Sequence, residues 1–477
     1  MARNKNGHPN APIFVAVAAG ILLIFFLGVL GSYNLYKSIN SQQVSSSSNI
    51  FPLSQPPVYQ LDANLHHTYS LNITINPINL NVSEAIFATP TIYSNKLLVT
   101  TFGLFKYLDS QRYDLTNGSV IAIDLNTSKI LWRHNFPDQI MTQPITVGNL
   151  VIIAEGNNLE APVKYWNYAY AIIALNITNG KIVWQYNTTF TQIATPSYFN
   201  GEIIEPAMGG GGAIVLNATT GNYITTVLTD VPTTLSSPLV VNGTAYFGGG
   251  GANFSNGAST PQDFHFFAIN LTTNKIIWNI NFTHAGGGIN DVTPAYWNGT
   301  IVTGYLFESV YGNPVIVGIN STTGKILWEV NENQVLNKTA VPDQPPLLPG
   351  TYINFTENSI SPITIWHGIA FADSNFLGWL FAINITTGKP LWAVNTGQCE
   401  SNPNVYNGML IIANDYGVMF VVNATTGRII NETDIGIPHL ENEFVLTKNY
   451  AIIGGLNGII KSIPISALLS SNTSQSN

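Results

Sequence analysis

With 477 residues, 45% of them hydrophobic, the chain can bury a large core, and its single cysteine, Cys399, excludes an internal disulfide framework and a cysteine-ligated zinc cluster. Charged residues make up only 9% and the formal net charge is −8. No basic run is present, so nucleic acid is not an expected partner.

The N-terminus, residues 1–11, is polar and carries Arg3 and Lys5. Residues 12–36 are almost continuously apolar and uncharged, matching the ~20 residues that span a bilayer. Tyr33 and Tyr36 suit the interface, and Lys37 closes the run. The expectation is an uncleaved transmembrane helix, with the N-terminus in the cytoplasm and the rest outside: a single-pass protein of the cell membrane. A cleaved signal peptide is the alternative, but its apolar region would be shorter and no small-residue cleavage site follows. Residues 37–57 hold Ser45–Ser48, Pro52, Pro56 and Pro57 and read as a flexible tether that stiffens toward its end.

A repeat fills residues 58–466. Its clearest copy runs from Ile319 through Asn320, Thr323, Gly324 and Lys325 to Trp328. Further copies start at Asp124, Asn176, Asn217, Asn270, Asn384 and Asn423, at the spacing of propeller blades. Trp132, Trp184, Trp278, Trp328 and Trp392 each lie eight residues after the Asn or Asp, and Gly180, Gly221, Gly324, Gly388 and Gly427 close the turns. Each copy reads as a hairpin: an apolar strand, an Asn-x-Thr-Thr-Gly turn in which Asn bonds the local backbone and Gly supplies a positive φ, and a return strand packed through Trp. A residue–Pro pair precedes each copy: Thr89-Pro90, Gln143-Pro144, Thr195-Pro196, Ser237-Pro238, Thr293-Pro294, Ser361-Pro362 and Asn402-Pro403. Two strands follow each pair, so the full unit is a four-stranded antiparallel blade.

Seven units run from Thr89 to about residue 442. An eighth, 444–465, has three strands and lacks the Asn-turn and Trp-strand. The alternating segment His67–Ile75 is expected to supply its outer strand and close the ring. The fold expected is all-β: an eight-bladed β-propeller behind one transmembrane helix, with seven blades as the alternative. Residues 467–477 read as a polar tail.

This pattern resembles the pyrroloquinoline-quinone (PQQ)-type repeat of the quinoprotein and PQQ-like propellers, over roughly residues 58–465. The resemblance implies the propeller and permits a quinoprotein dehydrogenase using PQQ and Ca²⁺. The adjacent cysteine pair of the alcohol-oxidising members is absent here. No Asp base, Ca²⁺ set or haem-attachment Cys-x-x-Cys-His matches either. No cofactor is therefore expected, except under that alternative. The bacterial outer-membrane assembly lipoprotein has a similar propeller and is a scaffold.

Nineteen Asn-x-Ser/Thr sequons occur, at Asn72, Asn81, Asn117, Asn126, Asn176, Asn187, Asn217, Asn242, Asn253, Asn270, Asn281, Asn298, Asn320, Asn337, Asn354, Asn384, Asn423, Asn431 and Asn472. In six of the seven copies the turn Asn itself begins a sequon; Asn and Thr are also good turn residues in their own right. The Asn-turns and first-to-second-strand turns should share one face, which predicts a ring of N-glycans there. Sequons, few charges, no disulfide and an anchor together resemble cell-surface proteins of thermoacidophilic archaea.

Chemistry is less legible. The Gly-rich stretches 208–212, 248–251 and 285–288 lead into no helix and read as flexible or crowded turns rather than phosphate loops. Histidines are scattered, without metal-motif spacing. Asp263 and His265 share a face, and Asp373 and Asp415 fall in loops of equivalent position, so a metal or catalytic cluster would have to form across blades; none is assigned. Long insertions with aromatics offer recognition loops: Tyr107 and Tyr113; Tyr165, Trp166 and Tyr168; and Tyr352 in the Pro-rich 329–360 stretch. The function expected is a membrane-anchored, N-glycosylated extracellular propeller that binds or scaffolds a protein or envelope partner, rather than an enzyme. The alternatives are the PQQ-dependent dehydrogenase and a subunit of a surface layer or filament.

Overall fold

Strand pairing in the computed structural model follows the repeat unit by unit. The structure describes residues 70–71, 73–108, 111–115, 117–156, 168–206, 211–229, 231, 236–253, 260–287, 292–308, 312–338, 360–374, 378–399, 401–437 and 444–470. The expected transmembrane helix and tether lie outside these residues. Among the described residues no helix is long and apolar enough to cross a membrane.

Blade one consists of Thr91–Tyr93, Lys96–Thr101, Ser119–Asp124 and Ile130–Asn135, paired in that order. Six more antiparallel blades follow at 145–187, 197–228, 239–281, 295–331, 364–395 and 404–434. The first strands stand against one another around the axis. Gln143 N donates to Thr195 Oγ1 and Thr195 N to Ser237 Oγ, both at 3.0 Å, so the residue before each Pro of blades two to four joins a chain of bonds from blade to blade. Thr364 Oγ1 of blade six donates to Pro403 O of blade seven at 2.7 Å. The fourth strands lie outermost and are largely exposed, as in the exposed–exposed–buried–exposed run of Ile130–Arg133.

The fold has eight main cores, one in each interface between neighbouring blades. That between blades one and two is built on Leu98, Val120, Trp132, Ile153 and Ile173, and that between blades eight and one on Ile86, Leu97, Ile121, Ile452 and Ile460. The ring is therefore eight-bladed, and the seven-bladed alternative fails because 444–465 packs as a full member.

The Trp–Gly motif makes these interfaces. Trp132 Nε1 donates to Ile177 O of blade two at 3.0 Å, Trp184 to Ala218 O of blade three at 3.1 Å, Trp278 to Ser321 O of blade five at 3.1 Å, Trp328 to Ile385 O of blade six at 2.6 Å, and Trp392 to Ala424 O of blade seven at 3.1 Å. Each indole lies on the turn glycine of the next blade. A Cβ on Gly180, Gly221, Gly324, Gly388 or Gly427 would come within 2.4–2.8 Å of the ring, and these glycines have φ of +65° to +71°. The pairing extends to its absences. Blade three has Thr225 in the Trp position, and blade four has Asn274 where the glycine would be. Blade eight has no Trp-strand, and blade one has Ser128 there.

Each of the first seven blades has a β-bulge here, and in the five that carry the Trp it points the indole inward. The pairing between third and fourth strands slips by one residue, as at Ala122/Ile123 and Gly318/Ile319. The extra residue, Leu131 or Leu327 for example, is turned out to solvent. Opposite each Trp the third strand carries a small residue, as Ala122 faces Trp132, Ala174 faces Trp184 and Gly318 faces Trp328. Where Trp is missing, Val faces Thr225 and Asn431.

Closure differs from expectation in one particular. An N-terminal strand does complete blade eight, but it is Asn79–Asn81, antiparallel to Ile459–Pro464, and not His67–Ile75. Ser70–Leu71 pairs in parallel with Val445–Thr447 on the axial side. The chain then crosses the turn face, held by Ile73 O, which accepts from Lys448 N, and by Asn449, whose amide bonds both Ile75 N and Ile75 O. Alternation marks a two-faced strand but not which sheet edge it joins. At the C-terminus, Ile465–Leu469 is a short helix with Ile465 and Leu468 buried.

Two of the three Gly-rich stretches are strand, not turn. Gly248–Gly251 lies within Thr244–Asn253, where a Cβ on Gly250 would meet the Phe264 ring at 2.2 Å, and Ala285–Gly287 is a strand of three residues.

Substitution separates the dock from ordinary glycine strain. Gly299 has φ +87° and open space around it, so Gly299→Ala should cost only the ~1–2 kcal/mol of a left-handed residue. Gly388→Ala must also displace Trp328 and should cost at least twice as much; Trp328→Ala should cost ~3–5 kcal/mol. Equal losses for the two glycine variants in denaturant titrations would show that the indole contact contributes nothing.

Candidate functional site

The face opposite the Asn-turns carries a set of buried carboxyl groups. They sit at or near the ends of second strands and in the loops that follow, in positions where the apolar run leaves no Lys or Arg alongside. Glu155 ends Leu150–Glu155, Glu205 lies in Glu202–Pro206, Asp373 lies in Ile369–Ser374, and Asp415 follows Met409–Ala413. All four are buried, Glu205 and Asp373 completely. Asp373 therefore sits inside a strand rather than in a loop.

Blades five to seven gather the densest group. Asp373, Asp415, Glu332 and Cys399 are close enough to act on one another electrically. Burial first, then the neighbouring Asp415 and Glu332, hold the Asp373 carboxyl far above its ordinary value. Burial pushes Glu332 up to about 7. Burial, Asp373 and Asp415 raise the Cys399 thiol well above the usual thiol range. The thiol is therefore a poor nucleophile. It donates to Ala413 O at 3.0 Å, and Ser401 Oγ donates to the same carbonyl at 2.6 Å. Ser361 Oγ accepts from Asp373 N at 3.0 Å and fixes the strand that bears the carboxyl.

This region is also where buried polar atoms lack protein partners. Among the described residues fifteen buried side-chain N or O atoms have none. Eight of them belong to Glu332, Asp373, Ser374, Thr396, Gln398 and Asn402, and both carboxyl oxygens of Asp373 and both amide atoms of Asn402 are included. Each such atom costs ~1–3 kcal/mol, and a fold seldom keeps several together without use for them. The concentration here, rather than any single residue, marks the candidate site.

A second group lies in blades two and three. Glu155 Oε1 accepts from Asp138 N at 3.0 Å, and burial pushes Glu155 up to about 7. Glu205 has no partner at either oxygen and is raised well above the carboxylate range by burial alone. At the blade eight–one seam the carboxylate is instead neutralised: Glu84 pairs with Arg133 and accepts from Thr101 Oγ1 and Ser119 Oγ.

Of the acids read across blades in the sequence, Asp373 and Asp415 come together. His265 is buried in blade four and stacks on Phe267, with Nδ1 lacking a partner. No group of three His, Cys, Asp or Glu among the described residues is arranged to hold a metal. Tyr107 and Tyr113 stand on a hairpin of Leu104–Leu108 and Gln111–Leu115. Tyr168 is exposed and packs edge-on against Tyr170. Tyr165, Trp166 and Tyr352 lie outside the described residues. The Pro-rich insertion opens with a helix, Glu332–Lys338, whose Glu332 and Val335 are buried. Sequence reasoning missed Glu155, Glu205 and Glu332. The first two could have been found as acids closing or interrupting an apolar run; Glu332 carries no such mark.

A family model described as outer membrane protein assembly factor BamB matches residues 83–259 and supports a PQQ-like propeller. Two curated relatives are named tetrathionate hydrolase. One, from Acidithiobacillus ferrooxidans, is 26% identical over 66% of this chain and 62% of its own length. The other, from Acidianus ambivalens, is 26% identical over 74% of this chain and 68% of its own. The chain thus spans less than two thirds of the first relative. Among solved structures, a europium-containing methanol dehydrogenase superposes with a TM-score of 0.56 at 13% identity, covering 83% of this chain and 88% of the other, which shows the shared fold alone.

The raised carboxyls fix how stability depends on pH. Between the ordinary carboxyl value and about 7, folded Glu155 and Glu332 keep protons that the unfolded chain has released, so stability is full below about 4.5 and falls as pH rises through 7. A shift of that size corresponds to on the order of 3 kcal/mol per group. Melting temperature should therefore be highest in acid and drop toward neutrality, and Glu205→Gln should lessen the drop. A profile that is flat or rises from pH 4 to 8 would contradict this account.

Proposed function

We propose that the chain is an acid-adapted hydrolase of tetrathionate-type sulfur chains, held outside the cell membrane by its N-terminal segment, with its site in the carboxyl cluster of blades five to seven. The observation that carries this reading is the proximity of Asp415 to Asp373, whose two carboxyl oxygens belong to a group of buried polar atoms without protein partners. It is supported by the two relatives named tetrathionate hydrolase. Hydrolysis of such a chain needs no outside oxidant: water adds to one of the two inner sulfurs, the central S–S bond breaks, thiosulfate leaves with the bonding pair, the attacked half remains as HO–S–SO3−, and one water proton is released. Asp373, kept neutral by burial, supplies a proton or hydrogen bond to the departing sulfur group. Asp415, at the edge of the cluster, orients water and takes its proton. Keeping one carboxyl neutral beside a second is how a pair of like groups divides acid and base work. The reading uses no cofactor, since the chain lacks the cysteine pair expected of an alcohol-oxidising quinoprotein.

A second reading, a binding or scaffold protein with a protein or envelope partner on the same face, is favoured by the match to the assembly-factor family model. The rigid ring and exposed Tyr168 suit it, as they suit a surface-layer subunit.

The purified full chain should release thiosulfate from tetrathionate at acid pH. Asp373→Asn and Asp415→Asn should each lower kcat/KM by ~10²-fold or more, with melting at pH 4 within a few degrees of the parent. Full activity in both variants would remove the cluster from catalysis. No turnover in the parent would sink the hydrolase reading and leave the scaffold, which crosslinking on intact cells would then address.

A further inference from the structure

We infer that the turn face carries an arc of N-linked glycans over blades one to seven, attached to the asparagines that also build the blade turns, and that Asn431 carries none. This rests on the extracellular part of the reading above and not on the hydrolase part. The structure separates sequons that the sequence leaves alike.

In blades two to seven the turn residue, Asn176, Asn217, Asn270, Asn320, Asn384 or Asn423, uses its side-chain oxygen to accept the backbone N–H groups of the next residues but one or two, at 2.9–3.1 Å. These bonds leave Nδ2 aside. Nδ2 is the atom an N-glycan takes, and the linked amide keeps its oxygen as an acceptor, so the turn survives the modification. The turn Asn is half-buried and the residue straight after it is buried, but the second and third residues after it are exposed in five of the six turns.

The first-to-second-strand turns share this face. Ile177 N donates to Asn149 O, Leu271 N to Gly243 O, Ser321 N to Gly299 O and Ile385 N to Gly368 O, at 2.8–2.9 Å. The exposed sequons Asn242 and Asn298, at φ +49° and +44°, therefore join the arc, as does exposed Asn126. Asn431 is different. It lies in the fourth strand of blade seven, is buried, and its Nδ2 donates to Leu468 O at 2.9 Å and to Thr433 Oγ1 at 3.2 Å. A glycan there would have to displace the C-terminal helix.

The transfer needs a lipid-linked oligosaccharyl diphosphate and a membrane transferase. Nδ2 attacks the anomeric carbon, an N–C bond forms, the C–O bond to the diphosphate breaks, and the electron pair leaves with the lipid diphosphate. One amide proton passes to the transferase's base, and nothing is oxidised or reduced. Sugar is thereby concentrated over the turns, while the exposed sequons Asn117, Asn187 and Asn281 at the opposite strand ends mean that the carboxyl face is not bare.

The test is peptide mapping by mass spectrometry of the full chain isolated from its native host, alongside protease treatment of intact cells. Glycan masses on the turn asparagines with Asn431 bare are expected. A chain cleaved on intact cells but with bare turn asparagines overturns the arc, and a modified Asn431 overturns the structural selection. A chain inaccessible on intact cells refutes the extracellular location instead. Two variants expressed in that host sharpen the reading. Thr322→Ala removes the Asn320 sequon while the turn keeps the Thr322 N–H and Thr323 bonds, so one glycan mass should vanish with melting of the deglycosylated proteins unchanged. Thr323→Ala, which loses a hydroxyl bond to Asn320 but keeps the sequon, should retain that mass.

Discussion

The ring depends on one contact repeated five times: an indole from the outer strand of one blade resting on the turn glycine of the next and donating its N–H to a carbonyl beside it. The contact couples several demands. The glycine must lack a Cβ because the ring occupies that space, and it must hold a positive φ because the turn requires it. The facing third-strand residue must be small. The bulge must turn the residue before the Trp outward. Sequences that lose the Trp lose the glycine in the following blade as well, as at blades three to four and eight to one. That correlation is the mark of a physical pair rather than of a repeated habit.

The undocked interfaces rely on other means. Blades three and four meet through Phe247, Phe267 and Ile269 against Val215 and Val227. The seam at blade eight is closed by chain from both ends, with the Glu84–Arg133 pair beside it. Closing a ring with an N-terminal strand leaves no blade without an outer partner and holds the two chain ends together through backbone bonds rather than through a side-chain dock.

The two faces divide the chemistry. On one, turns are saturated with local hydrogen bonds to Asn and Thr. On the other, carboxyl groups are buried at and beyond strand ends with few counter-charges. In neutral water such groups would strain the fold; in acid they are protonated and behave as polar but uncharged core. Low charge content and raised carboxyl values therefore act in the same direction, lessening what acid costs the fold.

The sequence alone determined the blade unit, its strand order, the turn chemistry and the common face of the two turn classes, because these are set by residues within ten or so positions of one another: Asn and Gly for the turn, Trp for the return strand, Pro for the inner strand. It also pointed to eight blades, because 444–465 was too apolar for a tail. Tertiary structure decided what depends on distant chain. It chose Asn79–Asn81 over His67–Ile75 as the closing strand, since alternation cannot specify an edge. It brought Asp373 to Asp415 and Glu332 from three blades, a proximity that no spacing along the chain encodes. It buried Asn431 against a C-terminal helix while leaving the turn asparagines half-exposed, because burial is a property of the packed ring and the sequon is only three residues long.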